Sequence, residues 1–260
     1  MLSKLQREVM ELFAETGHPQ TPITMPDCVL STIRLLNHGE CRVCEIDDKA
    51  NTWQVNEWLK KAILLFFKYS NCTLTPNAYD KIKLKFEQWE AADFETAKIR
   101  VVPGAIVRYG AFIGKEAVLM NCFVNIGAYV GQRTMVDSFA TVGSCAQIGA
   151  NCHLASGSVI GGVLEPVTAA PVVIEDNCLI GANAVVAEGV VVRNGATIAM
   201  GTRLGASTKI IDRETKAEFH KEVPEKAVVV PGAYQSNGLS IACAVIVGYK
   251  DRDYINENLR

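Results

Sequence analysis

Between Ile106 and Ile160 an aliphatic or aromatic side chain returns at every sixth position: Ile106, Phe112, Val118, Val124, Val130, Val136, Val142, Ile148, Leu154 and Ile160. The beat resumes at Ile174, Ile180, Val186, Val192, Ile198, Leu204 and Ile210. A helix repeats every 3.6 residues and a strand every 2, so neither produces this spacing. A fixed six-residue period predicts short parallel strands wound into a stacked coil.

Apart from Ile160 and Ile210, which end the two runs, the fourth position after each anchor is small: Gly110, Cys122, Ala128, Thr134, Ala140, Ala146, Cys152, Ser158, Cys178, Ala184, Ala196, Thr202 and Thr208, with Glu116 and Val190 as exceptions. A bulky group there would hold successive turns apart, because stacked strands lie only about 4.8 Å from one another. From Ile160 to Ile174 the phase slips: fourteen residues, two more than two units. The segment 161–171 holds Pro166 and Pro171, which donate nothing to a ladder, and it is expected to leave the coil as a loop. Insertions in a solenoid tend to gather on its functional face.

Residues 1–98 lack the beat. Leu5, Val9, Leu12 and Phe13 form one helical stripe, Asp27 is positioned to cap a second helix carrying Leu30, Ile33 and Leu36, and a third is expected from Val55 to Tyr69. Lys81–Lys85 alternates like a strand with a solvated lysine face. Past Asp212, the runs Ala227–Pro231 and Ile241–Gly248 flank Asn237-Gly238, a favoured hairpin turn, and predict an antiparallel pair that caps the last coil. The expected division is an α-rich segment 1–98, a coil 99–212 with its loop at 161–171, and a β-rich cap 213–260.

A net charge of −2 and a pI near 6.1 argue against a nucleic-acid partner. No apolar run, Ala62–Phe67 included, approaches the roughly 20 residues of a membrane span. The N-terminus is charged and amphipathic, unlike a signal peptide, so a cytoplasmic location is expected. Of nine cysteines, Cys122, Cys152 and Cys178 occupy the small position of the repeat. Cys41-Arg-Val-Cys44 has no second pair and is read as structural.

Several segments carry a specific resemblance. Among them are Glu57-Trp-Leu-Lys-Lys-Ala62, Arg100-Val-Val-Pro103, Val124-Asn-Ile-Gly-Ala-Tyr-Val130, Met135-Val-Asp137, Gly161-Gly-Val-Leu-Glu-Pro166 and Asp212-Arg-Glu-Thr215. With them the chain resembles the tetrahydrodipicolinate N-succinyltransferases, a family of hexapeptide acyltransferases, over nearly its whole length. The resemblance implies a left-handed parallel β-helix, whereas the general crossover rule would favour a right-handed one. It also implies a homotrimer with sites between neighbours, and transfer of an acyl group from a CoA thioester to the amine of tetrahydrodipicolinate in its ring-opened form.

Such an acceptor carries two carboxylates, which call for a guanidinium, and an ammonium that must lose a proton before attack. Arg100 and Asp137 match the family's acceptor-binding residues, with Asp137 the candidate base. Asn125 and Ser144 are further candidates for the substrate. CoA is expected along Gly181, Ala182, Met200 and Gly201, with Lys209, Arg213, Lys216 and Lys221 available to its phosphates. No metal is expected.

At 181–189 the chain departs from the family. Asn183 stands where the family has an arginine and Val185 where it has a glutamate, a run similar to the tetrahydrodipicolinate N-acetyltransferases. That departure favours acetyl-CoA as donor, with succinyl-CoA as the alternative. Three rivals are a zinc site of the γ-carbonic anhydrase kind, covalent catalysis by Cys145, and an inactive scaffold. The first would need three histidines, and of His18, His38, His153 and His220 only His153 lies in the repeat.

Overall fold

The computed structural model describes residues 2–15, 24–47, 49–75 and 78–251. Each six-residue unit forms a two-residue strand and a tight corner, and consecutive strands lie on different faces of a triangular prism. A strand therefore pairs in parallel with one a full coil later: Tyr129 with Gln147, Met135 with His153, Thr141 with Val159. Face I runs through Arg100–Val101, Val118–Leu119, Met135–Val136, His153–Leu154, Leu179–Ile180 and Thr197–Ile198. Face II runs through Ile106–Val107, Phe123–Val124, Thr141–Val142, Val159–Ile160, Val185–Val186 and Arg203–Leu204. Face III runs through Phe112–Ile113, Tyr129–Val130, Gln147–Ile148, Val173–Ile174, Val191–Val192 and Glu222–Val223.

Side chains alternate across a strand, so one residue of each pair points in and the other out. Val130, Val136, Val142, Ile148, Leu154 and Ile160 are all 0% exposed and fill the prism. Burial of each such side chain contributes roughly 1.5–3 kcal/mol.

The register corrects the first anchors. Val136 stands over Leu119, and Val124 over Val107, so the inward residues of the first coils are Val107, Ile113 and Leu119. Ile106 instead points out and is 44% exposed. The spacing tightens by one residue between Leu119 and Val124, a slip that the six-residue count passes over because both strand residues are apolar. Glu116 then ceases to be an exception, since the small position is the buried Ala117. The second slip is also redefined. Val159–Ile160 and Val173–Ile174 are consecutive strands, so 161–171 belongs to a single corner enlarged by eight residues. Ile210 is buried but leaves the beat: its strand Ile210–Asp212 pairs in parallel with Leu239–Tyr249, and Glu222–Val223 closes face III.

Three helices, α1 (Leu2–Glu15), α2 (Asp27–His38) and α3 (Glu57–Tyr69), form a second core with Val9, Ile33, Leu59, Ile63 and Leu65. It includes Ile126 and Cys145 of the coil, both at the edge between faces II and III. The strand pair Cys44–Asp47 and Thr52–Val55 adjoins face III. There Arg42 stacks 3.8 Å from the Tyr129 ring centroid, and Trp53 Nε1 donates to Glu175 Oε1 at 3.0 Å. A short helix α4 (Ala91–Ala97) precedes the coil.

Asp27 is the first residue of α2, and Pro26 holds the cap position. Lys81–Lys85 forms a single bridge at Leu84 rather than a strand. Its lysines do not share a solvated face, because Lys85 is buried and donates to Asn37 O and Oδ1 at 2.8 and 2.9 Å. The expected C-terminal hairpin is present as Ala227–Ser236 and Leu239–Tyr249, turning on Asn237 and Gly238 at φ 49° and 78°. It extends face I through Thr197↔Val228. Residues 252–260 of the predicted cap lie outside the described residues. No helix among the described residues is long and apolar enough to cross a membrane.

Candidate active site

The corner residues that follow the face I strands stack along one edge of the prism, between faces I and II. Asp137 N donates to Leu154 O, Ala155 N to Ile180 O and Gly181 N to Ile198 O, at 2.9, 2.8 and 2.7 Å. Gly201 N donates to Ala182 O at 2.9 Å. Asp137, Gly181, Ala182, Met200 and Gly201 therefore share this edge, with Asp137 two coils, about 10 Å, from Gly181. A side chain at Gly181 would run into the backbone of Met200, so this glycine is also required for stacking. Met200 is 72% exposed and Gly201 has open space beside it.

Arg100 starts the outward column of face I, in which Val118, Met135 and His153 follow in register. It is exposed, two coils from Met135. The Asp137 carboxylate accepts a hydrogen bond from Ser138 N at 2.6 Å through Oδ1. Its other oxygen lies 3.6 Å from His153 Nε2, both side chains being largely enclosed. His153 is thus brought beside the candidate base, a proximity that sequence reasoning missed. Its signal was available: Met135, two residues before Asp137, lies eighteen residues before His153, one full coil.

Asn125 and Ser144 do not join this cluster within the protomer. They follow face II strands, at the edge between faces II and III. Asn125 Oδ1 accepts from Arg108 Nη1 at 3.1 Å and from Ile126 N at 2.9 Å, and Arg108 also pairs with Asp80 at 2.6 Å. Proximity in sequence misleads here, because an edge recurs once per coil and not once per six residues.

The loop at 161–171 leaves from this second edge. It walls a cavity of about 470 Å³ whose far side is formed by Ala187, Glu188, Gly189 and Lys221. Glu188 Oε2 accepts from Ala206 N at 2.8 Å. Lys209 pairs with Glu218 at 2.9 Å and Lys216 Nζ donates to Arg213 O, so neither is an uncommitted cation. Asn183 is exposed on the first edge, and Val185 points outward from face II between Val159 and Arg203.

Cys145 is fully enclosed and burial pushes its thiol up to about 12, a poor setting for a nucleophile. Burial likewise raises Cys41 to about 12 and Cys44 to about 11, and all nine cysteines are free. Among the described residues no three His, Cys, Asp or Glu gather as a metal site. His18 lies outside the described residues.

Comparison with known proteins covers both parts of the chain. Residues 4–69 match the family profile described as tetrahydrodipicolinate N-succinyltransferase N-terminal. Residues 127–162 match bacterial transferase hexapeptide, and 171–206 match hexapeptide repeat of succinyl-transferase. A 2,3,4,5-tetrahydropyridine-2,6-dicarboxylate N-succinyltransferase of Nitrobacter winogradskyi is 52% identical, over 95% of this chain and 94% of its own. Proteins of the same name from Bradyrhizobium diazoefficiens and a Wolbachia of Brugia malayi are 51% and 48% identical, over 90% and 89% of this chain and 89% and 88% of their own. A Campylobacter jejuni crystal structure, assigned as a 2,3,4,5-tetrahydropyridine-2-carboxylate N-succinyltransferase, aligns with TM-score 0.58 at 16% identity. It covers 87% of this chain and 64% of that one, a likeness of fold that makes the coil a left-handed parallel β-helix. Identity near one half, sustained from the helices through the coil, places this chain in the tetrahydrodipicolinate N-succinyltransferase family of acyltransferases.

Proposed function

We propose that the chain transfers a succinyl group from succinyl-CoA to the amine of ring-opened tetrahydrodipicolinate. The observation that carries the reading is the shared edge. Asp137, with His153 beside it, lies on the same line of corners as Gly181, Ala182, Met200 and Gly201. A pantetheine arm laid along those corners would point its thioester toward Asp137.

Arg100 binds an acceptor carboxylate through its paired N–H groups. The Asp137 carboxylate takes a proton from the acceptor ammonium, and His153 holds that carboxylate against the substrate. The freed amine attacks the thioester carbonyl, a C–N bond forms, and the C–S bond breaks. The amine's surplus proton leaves with the CoA thiol. The thioester is already activated, so the step needs no covalent enzyme intermediate.

Succinyl-CoA replaces acetyl-CoA as the preferred donor. The preference for acetyl-CoA rested on Asn183 and Val185 alone, whereas relatives about half identical over nearly the whole chain are named for succinyl transfer. Nothing in the structure explains the change at Val185.

The reading includes a homotrimer. Face II and its edge with face I expose Ile106 (44%), Val159 (37%), Phe139 (71%) and Met200 (72%), an apolar surface suited to partner contact. Three prisms that turn face II toward a common axis form a heterologous ring, each edge of that face meeting the opposite edge of the neighbour. Asp137 of one copy would then face the loop, Asn125 and Ser144 edge of the next. Under the same proposal, the segment 1–98 serves assembly, 99–212 carries the site, and 213–260 closes the coil.

Initial rates with succinyl-CoA and acetyl-CoA, each with the acceptor, test the donor. A clear preference for acetyl-CoA would reverse it, and no transfer from either would favour the scaffold. Sedimentation velocity tests the ring, which a monomer at working concentration would refute.

A further inference from the structure

Lys60 of α3 has no exposed surface. Its ammonium donates to Pro166 O at 3.0 Å and to Ala169 O at 2.9 Å, two carbonyls of the 161–171 loop. Burial lowers the pKa of this ammonium, so its enclosure opposes the charged form. Its neighbours Leu59, Ala62 and Ile63 are fully buried apolar residues, and an apolar side chain at this position would seal the helix at lower cost. What the lysine adds is position. It ties two points of the loop, three residues apart, to the rigid helical core. The loop's beginning is tied separately to the coil, through Val163 N donating to Ser144 O at 3.0 Å and through Gly162 packed on Gly143.

We propose that Lys60 is a positioning residue for acyl transfer, holding the 161–171 loop in the pose that walls the acyl site of a neighbouring copy. The proposal rests on the ring reading given above. Lys60 itself touches no substrate. Without its ammonium the carbonyls of Pro166 and Ala169 lose their common donor and the loop is free to move away. A wall misplaced by about 1 Å costs on the order of 100-fold in rate.

The test compares wild type, Lys60→Met and Lys60→Gln as full-length protein. Lys60→Met is expected to keep its oligomeric state and melting temperature while kcat with succinyl-CoA falls about 10- to 100-fold and the KM for either substrate moves less than about threefold. Amide hydrogen exchange should accelerate in 161–171 and stay unchanged in α3. Lys60→Gln keeps N–H donors toward the carbonyls and should recover part of kcat. An unchanged kcat in Lys60→Met would overturn the proposal. So would a loss of activity that tracks loss of the trimer or faster exchange throughout α3, since either marks a purely structural lysine. An inactive wild type would instead defeat the transferase reading, and a monomeric wild type the ring; both are visible before any variant is made.

Discussion

His153 Nε2 stands 3.6 Å from Asp137 Oδ2, one coil of the prism reaching the next. The contact follows from the register Met135↔His153, which sets the imidazole on face I directly beside the corner that carries the carboxylate. It gives the candidate base an imidazole neighbour, at the head of the edge proposed for CoA.

Asp137→Asn removes the proposed base and keeps the shape. We expect kcat to fall roughly 10²- to 10⁴-fold, with the KM for succinyl-CoA little changed because the group lies beyond the corners proposed for CoA. His153→Gln should lower kcat by about tenfold and leave the proposed trimer intact. Steady-state kinetics decide, and full activity in Asp137→Asn would remove it from the chemistry.

Ala182 is half-buried on the same edge, with its carbonyl held by Gly201 N. Ala182→Trp fills the line along which the pantetheine arm is proposed to lie. Its KM for the acyl-CoA should rise at least about tenfold, a loss of some 1.4 kcal/mol in binding, with no change in KM for the acceptor. A drop in melting temperature without a change in KM would mean that the corner serves packing only.

Lys85 makes stability depend on pH. Desolvation pushes its ammonium down to about 7 from an ordinary value near 10.5. Between those values the unfolded chain binds the proton and the folded chain does not, so stability rises with pH across this window. The cost of burying the charge is largest below pH 7 and is relieved toward pH 10. Melting temperatures of wild type and Lys85→Met should therefore differ most in Lys85→Met's favour at low pH and converge as pH rises, less any loss of the Asn37 hydrogen bonds. A gap independent of pH between 6 and 10 would show that Lys85 does not titrate in that range.

Gly143 and Gly162 approach so closely that a Cβ on either would strike the backbone of the other's segment. Gly143→Ala should destabilise by about 1–3 kcal/mol, as overpacking does. Urea unfolding measures it, and an unchanged midpoint would mean that the loop yields at little cost.

How much was legible differs residue by residue. Val130, Val136, Val142 and Ile148 announced themselves because an inward strand position tolerates only an apolar filler. The shift from Ile106 to Val107 stayed hidden because both residues of that strand are apolar, and the six-residue count has no means to choose between them. Lys85 and Lys60 read as ordinary charged positions, since nothing local distinguishes a solvated lysine from one whose ammonium meets carbonyls 48 or 106 residues away.

The sequence by itself determined the coil, the loop at 161–171 and the family, because a repeated steric demand and a matched motif are both local. Only the tertiary structure decided the edges. Asp137 and Asn125 sit two units apart in the chain and on different corners of the prism, while Asp137 and Gly181 are far apart in the chain and share one. A coil closes after three faces, and its two slips offset the count, so which side chains meet depends on the accumulated winding rather than on any short stretch of residues.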